Sequence, residues 1–355
     1  MVLHKMLGVA FGTAVAGWAG FSLAQATPKT KTPVAKTQAA PAEAAPLQLQ
    51  SLDPTARPDP FPAVNPKFFT ADSPTVATVD SYLHAILGYD ANRIWRVMGI
   101  QKTQAPGVVK VVAMVSDRSA NARVQTAAFF VTPDGKHVIT DAGTGVQTFG
   151  ADPFAENRAI LRARADGPAR GGVSKDFLLV EFADLQCPHC KDAQAIMARL
   201  GQDFPKARIV YENFPIPEIH PFAMRAAEYG ACIAQKNSDA FFTYAQGVYD
   251  TQVALTADQG VTTLKSAVTK AGMDPEAIAV CASSDAAKTM VSASTKLASD
   301  LGIEQTPMLA VNGRILPLTG IPYETLRSLI IFQAGLDGVG SSANLIGVPT
   351  ATTKR

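Results

Sequence analysis

Strong charge of either sign is missing from this chain: across 355 residues, 32 Lys and Arg stand against 30 Asp and Glu, a net charge of +2. No Lys/Arg cluster and no aromatic ladder accompanies that balance, so the composition excludes an electrostatic nucleic-acid footprint. Cysteine is scarce, four in all, and the spacing yields a single Cys-x-x-Cys, Cys187 to Cys190. A zinc ribbon needs a second such pair or a close pair of histidines, and neither is present. Gly143-Thr144-Gly145 followed by Gly150 is not a dinucleotide fingerprint, because the third glycine is misplaced and no strand leads into a helix there. His84 and His137 stand alone and read as surface or core histidines rather than ligands. No metal or cofactor is expected.

What is present is enough for two domains with a sizeable core, at 47% hydrophobic residues. The apolar segment from Met6 to Ala24, preceded by Lys5 and followed by Ala24-Gln25-Ala26, reads as a secretory signal over residues 1–26. The alternative is an uncleaved membrane anchor. Either way the remainder is exported, to a periplasmic or other extracytoplasmic compartment where disulfides persist. Residues 27–66, rich in Ala, Pro, Thr and Lys, read as a semi-extended linker without repeats.

A small α+β domain is expected over 67–150. Ser73 and Pro74 read as cap and first turn of a helix carrying Val76, Val79, Leu83 and Ile86 at helical spacing, stopped by Gly88. Strands follow at 108–115, 124–131 and 136–141, with a turn at Thr132-Pro133-Asp134-Gly135. Residues 151–172 read as a helical connector broken by Gly167-Pro168 and Gly171-Gly172. A second domain is expected over 173–338, and 339–355 as a polar tail.

The second domain is organised around its cysteine pair. Phe177 to Phe182 is a nearly continuous apolar run, read as a buried strand, and a helical pattern runs from Cys190 to Phe204. Pro188 suits the first helical position, where its missing N–H costs nothing. This places Cys187 at the N-cap, facing unpaired amides and the positive end of the helix dipole. A low-pKa nucleophile Cys187 and a resolving Cys190 are the expectation. Pro188 stiffens the turn, and His189 can add a donor or a charge beside the sulfur. Beyond it, a strand at 208–214 is followed by five helical patterns between about 220 and 301.

Cys187-Pro188-His189-Cys190, preceded in the strand by Glu181, resembles the active site of the DsbA-type thiol-disulfide oxidoreductases on a thioredoxin fold. The helical insertion at His220-Pro221 resembles that family too. The resemblance implies an α/β thioredoxin fold with a helical insert. It also implies reduced or unfolded secreted proteins as substrates, and a DsbB-type membrane quinone oxidoreductase for reoxidation. Thr306-Pro307 matches the cis-proline loop that stands opposite the cysteines in such folds and binds substrate backbone; a plain strand-initiating proline is the alternative. Gln305 stands where many relatives have glycine. The first domain resembles the N-terminal domain of DsbC/DsbG-type isomerases, which implies a homodimer and a substrate cleft.

Two further features are weighed on the residues themselves. Cys232 and Cys281, on adjacent helices in an oxidising compartment, are expected to form a structural disulfide, a second redox pair being the alternative. Glu181, inside an apolar strand, is expected beneath the cysteines as a proton carrier for Cys190, against an edge carboxylate paired with a lysine. Asp184 reads as a turn residue. The activity expected is donation of disulfides. The alternatives are a reduced dimeric isomerase or reductase, and a metal-binding or chaperone protein on the same fold.

Overall fold

The computed structural model describes residues 59–119, 121–140 and 146–339. The export signal, the linker up to residue 58, Gly143-Thr144-Gly145 and the tail beyond 339 lie outside the described residues.

The first half is one helix on a five-stranded sheet. Helix α1 (Val76–Leu87) precedes β1 (Arg93–Lys102), β2 (Val109–Asp117), β3 (Gln125–Val131), β4 (His137–Thr140) and β5 (Val146–Thr148). The strands pair antiparallel in chain order. The cap of α1 is Thr75, whose hydroxyl accepts from the Thr78 N–H at 3.2 Å, two residues later than Ser73. Val79, Tyr82 and Leu83 lie against Val97, Ile100, Val111 and Phe129. β1 is absent from the expected elements for a physical reason. A bulge between Val97 and Gly99 breaks its alternation, and Val97, Met98, Gly99 and Ile100 are buried in succession.

The second half begins with α2 (Ala155–Arg164), β6 (Ala169–Gly171), β7 (Leu178–Ala183), α3 (Pro188–Asp203) and β8 (Arg208–Asn213). Five helices follow: α4 (Ala223–Ala234), α5 (Ser238–Asp250), α6 (Gly260–Lys270), α7 (Pro275–Ala282) and α8 (Asp285–Asp300). β9 (Met308–Val311), β10 (Arg314–Pro317) and α9 (Tyr323–Leu336) close it. The sheet order is β10-β9-β7-β8-β6, with β7 and β8 parallel and the other pairs antiparallel.

The stretch read as a connector is thus part of this layer. β6 pairs with β8, and Leu161 and Ala165 of α2 and its C-cap are buried with Val180, Phe182 and Val210. Three residues are too few for β6 to show a period. One face of the sheet is covered by α3 and α9, the other by α2 and α8. Helices α4 to α7 build a separate core around Tyr229, Phe241, Tyr244 and Val248, with Cys187 and Cys190 in the same cluster.

β7 runs from Leu178 toward the cysteines, and β9 runs against it, with Met308 beside Phe182 and Val311 beside Leu179. Pro307 therefore lies at the cysteine end and Arg314 at the other. The turn between β9 and β10 is Asn312-Gly313, both at positive φ (47° and 99°), as a two-residue hairpin requires. Arg314 joins the two halves. Its guanidinium donates to the last-turn carbonyls of α1, Ile86 O at 3.2 Å and Ala85 O, and to Gln333 Oε1 at 3.0 Å. A cation at a helix C-terminus is favoured by the dipole, and the ring of Phe154 lies 4.5 Å beneath it. The six residues of β7 put this contact about 20 Å from the cysteine end.

Candidate active site

Cys187 is the N-cap of α3 and Pro188 its first residue. The apolar strand β7 delivers the chain to this point, and Asp184 to Gln186 make the turn. The Cys187 N–H donates to Asp184 O at 3.1 Å, and the Cys190 N–H to Cys187 O at 3.1 Å. Pro188 and His189 are exposed, whereas Cys187 and Cys190 are buried. Both cysteines are free thiols.

The two sulfurs differ sharply. A hydrogen bond from the Cys190 thiol, with further donors from the backbone N–H groups of Cys190 and His189, lowers the Cys187 pKa to about 5 against the opposing effect of burial. Burial drives the Cys190 thiol far upward, and the negative Cys187 sulfur beside it reinforces the shift. The backbone N–H of His189 acts on the sulfur, and its ring is exposed. The Asp184 N–H also points at Cys190 Sγ, at 3.4 Å. Across from the pair, the Thr306–Pro307 peptide is cis. Thr306 Oγ1 is buried and, among the described residues, meets no partner in ordinary hydrogen-bond geometry. Its hydroxyl acts on both sulfurs and favours the thiolate of each.

Glu181 is buried in β7, and desolvation raises its pKa to about 7, with Gln194 and Arg170 acting in the opposite direction. It does not bond Cys190 directly. Gln194, one turn along α3, links them: its amide donates to Glu181 Oε1 at 2.8 Å and to Cys190 O at 3.0 Å.

Asp184 is more than a turn residue. Oδ1 accepts from the Gln186 N–H at 2.7 Å, and Oδ2 accepts from the Ile216 N–H at 2.9 Å and faces His220 Nδ1 at 2.8 Å. The helical insert holds the same loop through two glutamines. Gln252 Nε2 donates to Leu185 O and Cys187 O, both at 3.0 Å. Gln186 accepts from the Phe222 N–H at 2.6 Å and donates to Leu255 O at 3.3 Å. Gln194 and Gln252 carried no sequence signal, and His220 marked only the start of the helical insert, since a lone glutamine or histidine far along the chain acquires a role at the site only when the fold brings it near. Cys232 and Cys281 are joined as a disulfide between α4 and α7.

A five-stranded mixed sheet, a strand ending on an N-capping cysteine, a buried partner thiol and an opposing cis-proline make up a thioredoxin-like α/β fold. Five helices are inserted between its strands β8 and β9. Residues 167–330 match the family model described as Thioredoxin. Among solved structures, BdbD from Bacillus subtilis is 18% identical, with a TM-score of 0.41 over 46% of this chain and 90% of that one. Alpha-DsbA2 from Wolbachia pipientis is 18% identical, with a TM-score of 0.43 over 52% of this chain and 96% of that one. Among curated proteins, the Na(+)/H(+) antiporter NhaA 3 of Salinispora tropica is 32% identical over 69 residues, 19% of this chain and 11% of the antiporter. The chain thus spans about a tenth of that relative's length.

Proposed function

We propose that the protein is an extracytoplasmic thiol-disulfide oxidoreductase that donates its Cys187–Cys190 disulfide to reduced secreted proteins. The observation that carries this reading is the asymmetry of the pair, a Cys187 thiol with a pKa of about 5 beside a buried Cys190. A thiol titrating at about 5 rather than 9 favours the dithiol form at pH 7 by up to about 3 kcal/mol before solvent screening, equivalent to about 60 mV for a two-electron couple. A stabilised dithiol makes the disulfide a stronger oxidant.

The exchange runs in two displacements. A substrate thiolate attacks Cys187 Sγ, the substrate–Cys187 bond forms, the Cys187–Cys190 bond breaks, and Cys190 leaves with the electron pair. Glu181, with a pKa of about 7, would give Cys190 its proton, with Gln194 bonded both to its carboxylate and to the Cys190 carbonyl. A second substrate thiolate then attacks the substrate sulfur, and Cys187 leaves as the thiolate that its surroundings favour. The substrate ends oxidised by two electrons and the protein ends as the dithiol. The backbone of Thr306, held open by Pro307, would pair with the substrate chain meanwhile. Reoxidation calls for a membrane partner of the DsbB type that passes the two electrons to a quinone.

Export is supported by the apolar segment at residues 1–26 and by the Cys232–Cys281 disulfide, a bond that persists in oxidising compartments. The test is the reduction potential of the Cys187/Cys190 couple in glutathione buffers. A value near about −120 mV supports disulfide donation, and one near about −180 mV or below overturns it in favour of an isomerase or reductase. Metal released in place of a reversible couple overturns the enzyme reading altogether.

A further inference from the structure

Tyr211 is the direct neighbour of Glu181 across the parallel β7–β8 register, so the two side chains leave the sheet on the same face. From α5, Tyr249 meets it, hydroxyl to hydroxyl, at 3.1 Å. Both tyrosines are buried, and both belong to the cluster that holds Cys187 and Cys190. Two hydroxyls carry two O–H donors, and their mutual bond uses one. Among the described residues neither hydroxyl bonds a third group. One buried donor is left over.

The groups able to take charge around this pair are Cys190 from α3, Glu181 from β7 and Asp184 from the loop that follows. Asp184 already has the N–H groups of Gln186 and Ile216 and the ring of His220. Glu181 faces Gln194 from α3 and Arg170 from β6, whose guanidinium is stacked 4.6 Å over Phe242. Of these three, Cys190 and Glu181 are the groups whose charge changes during exchange. Burial raises both phenols well above their ordinary range, so each stays a donor throughout the working pH range.

We propose that the Tyr211–Tyr249 hydroxyl pair is a further part of the reacting site, turning its spare O–H toward the negative charge that appears when Cys190 leaves. That charge sits first on the Cys190 sulfur and, after proton transfer, on the Glu181 carboxylate, and the pair supports either. Neither phenol loses its proton. The proton that reaches Cys190 comes from Glu181, which recovers one from water, and the tyrosines contribute a hydrogen bond to an anion from which water is excluded. This inference rests on the proposed disulfide exchange.

The test compares the full chain with the double variant Tyr211→Phe, Tyr249→Phe and with Tyr244→Phe as control. Tyr244 is buried in the same cluster, but its hydroxyl donates to Ala226 O at 2.9 Å, so its loss costs a hydrogen bond without touching the charge. The readout is the pH profile of single-turnover reduction of the oxidised protein by dithiothreitol. In the double variant the midpoint should rise by about one pH unit and the rate at pH 7 should fall about tenfold. The Tyr244→Phe profile should stay on that of the unaltered chain. An unmoved profile in the double variant, or the same shift in Tyr244→Phe, overturns the proposal while leaving the exchange activity standing. No reversible couple in the unaltered chain overturns the proposed function and this proposal with it. Should the double variant fail to fold, the Cζ chemical shifts of isotope-labelled tyrosines in the unaltered chain decide. Those of Tyr211 and Tyr249 should follow redox state and pH together, and shifts indifferent to both overturn the proposal.

Discussion

His220 Nδ1 lies 2.8 Å from Asp184 Oδ2, and this pair ties the start of the helical insert to the loop that presents Cys187. The same carboxylate holds the N–H groups of Gln186 and Ile216, so one buried side chain sets the path of two loops. A strand end that reads as a simple turn is a junction between the sheet and the insert.

Asp184→Ala leaves those donors buried without an acceptor and should destabilise the protein by about 3 kcal/mol. His220→Ala should cost less, about 1 kcal/mol. Urea unfolding of the reduced protein checks both. Equal, negligible effects would show that the junction carries no structural load.

The reduced protein should hold its Cys187 thiolate down to about pH 5. Followed by alkylation rate or thiolate absorbance, Cys187 should titrate with a midpoint near 5, and Cys190→Ala should raise that midpoint, because the Cys190 thiol is the largest single cause of the shift. The sign for stability follows from linkage. A folded pKa below the unfolded value stabilises the reduced form above pH 9, and this contribution is lost as pH falls toward 5. A midpoint unchanged by Cys190→Ala would contradict the assignment.

Glu181 works in the other direction. Its folded pKa of about 7 lies above the ordinary glutamate value of 4.5, so its contribution is intact below pH 4.5 and is lost as pH rises through 7. Glu181→Gln should therefore stabilise the protein at pH 8 by up to about 3 kcal/mol and do little at pH 4. It should also slow the step in which Cys190 leaves. Thermal unfolding at the two pH values, with stopped-flow reduction, tests both effects, and a stability change independent of pH would rule out a titrating Glu181.

Replacing Cys232 and Cys281 together by Ala opens a loop closed across 49 residues. The expected loss is about 3 to 4 kcal/mol in the chain-entropy account, with the Cys187/Cys190 potential unchanged. A shift in that potential would revive the reading of Cys232 and Cys281 as a second redox pair.

Arg314→Met removes the donors that cap the α1 carbonyls. Hydrogen exchange should then rise in the last turn of α1 while the amides of α3 keep their protection, since the contact lies at the far end of β7. Equal loosening of α3 would mean that the two ends of the sheet are coupled.

The amino-acid sequence by itself determined the parts whose geometry is local. The apolar run Phe177 to Phe182, followed by Cys187-Pro188, specifies a strand, an N-cap and a first helical turn within residues 177–190, and Asn312-Gly313 specifies a hairpin because few residues tolerate positive φ. The helices of the insert were legible for the same reason, since each carries its own apolar period. Tertiary structure alone decided what Asp184, Gln194, Tyr211, His220 and Gln252 do. Each is an ordinary polar residue until a partner from another element arrives, 36 residues away for His220 and 65 for Gln252. The membership of β6 and the docking of α1 on Arg314 were decided there too, because a three-residue strand and a single arginine have no period to read. Burial is the physical reason for the division: it converts a carboxylate, a thiol or a phenol from a solvated group into one whose protonation depends on its few neighbours, and those neighbours are chosen by the fold.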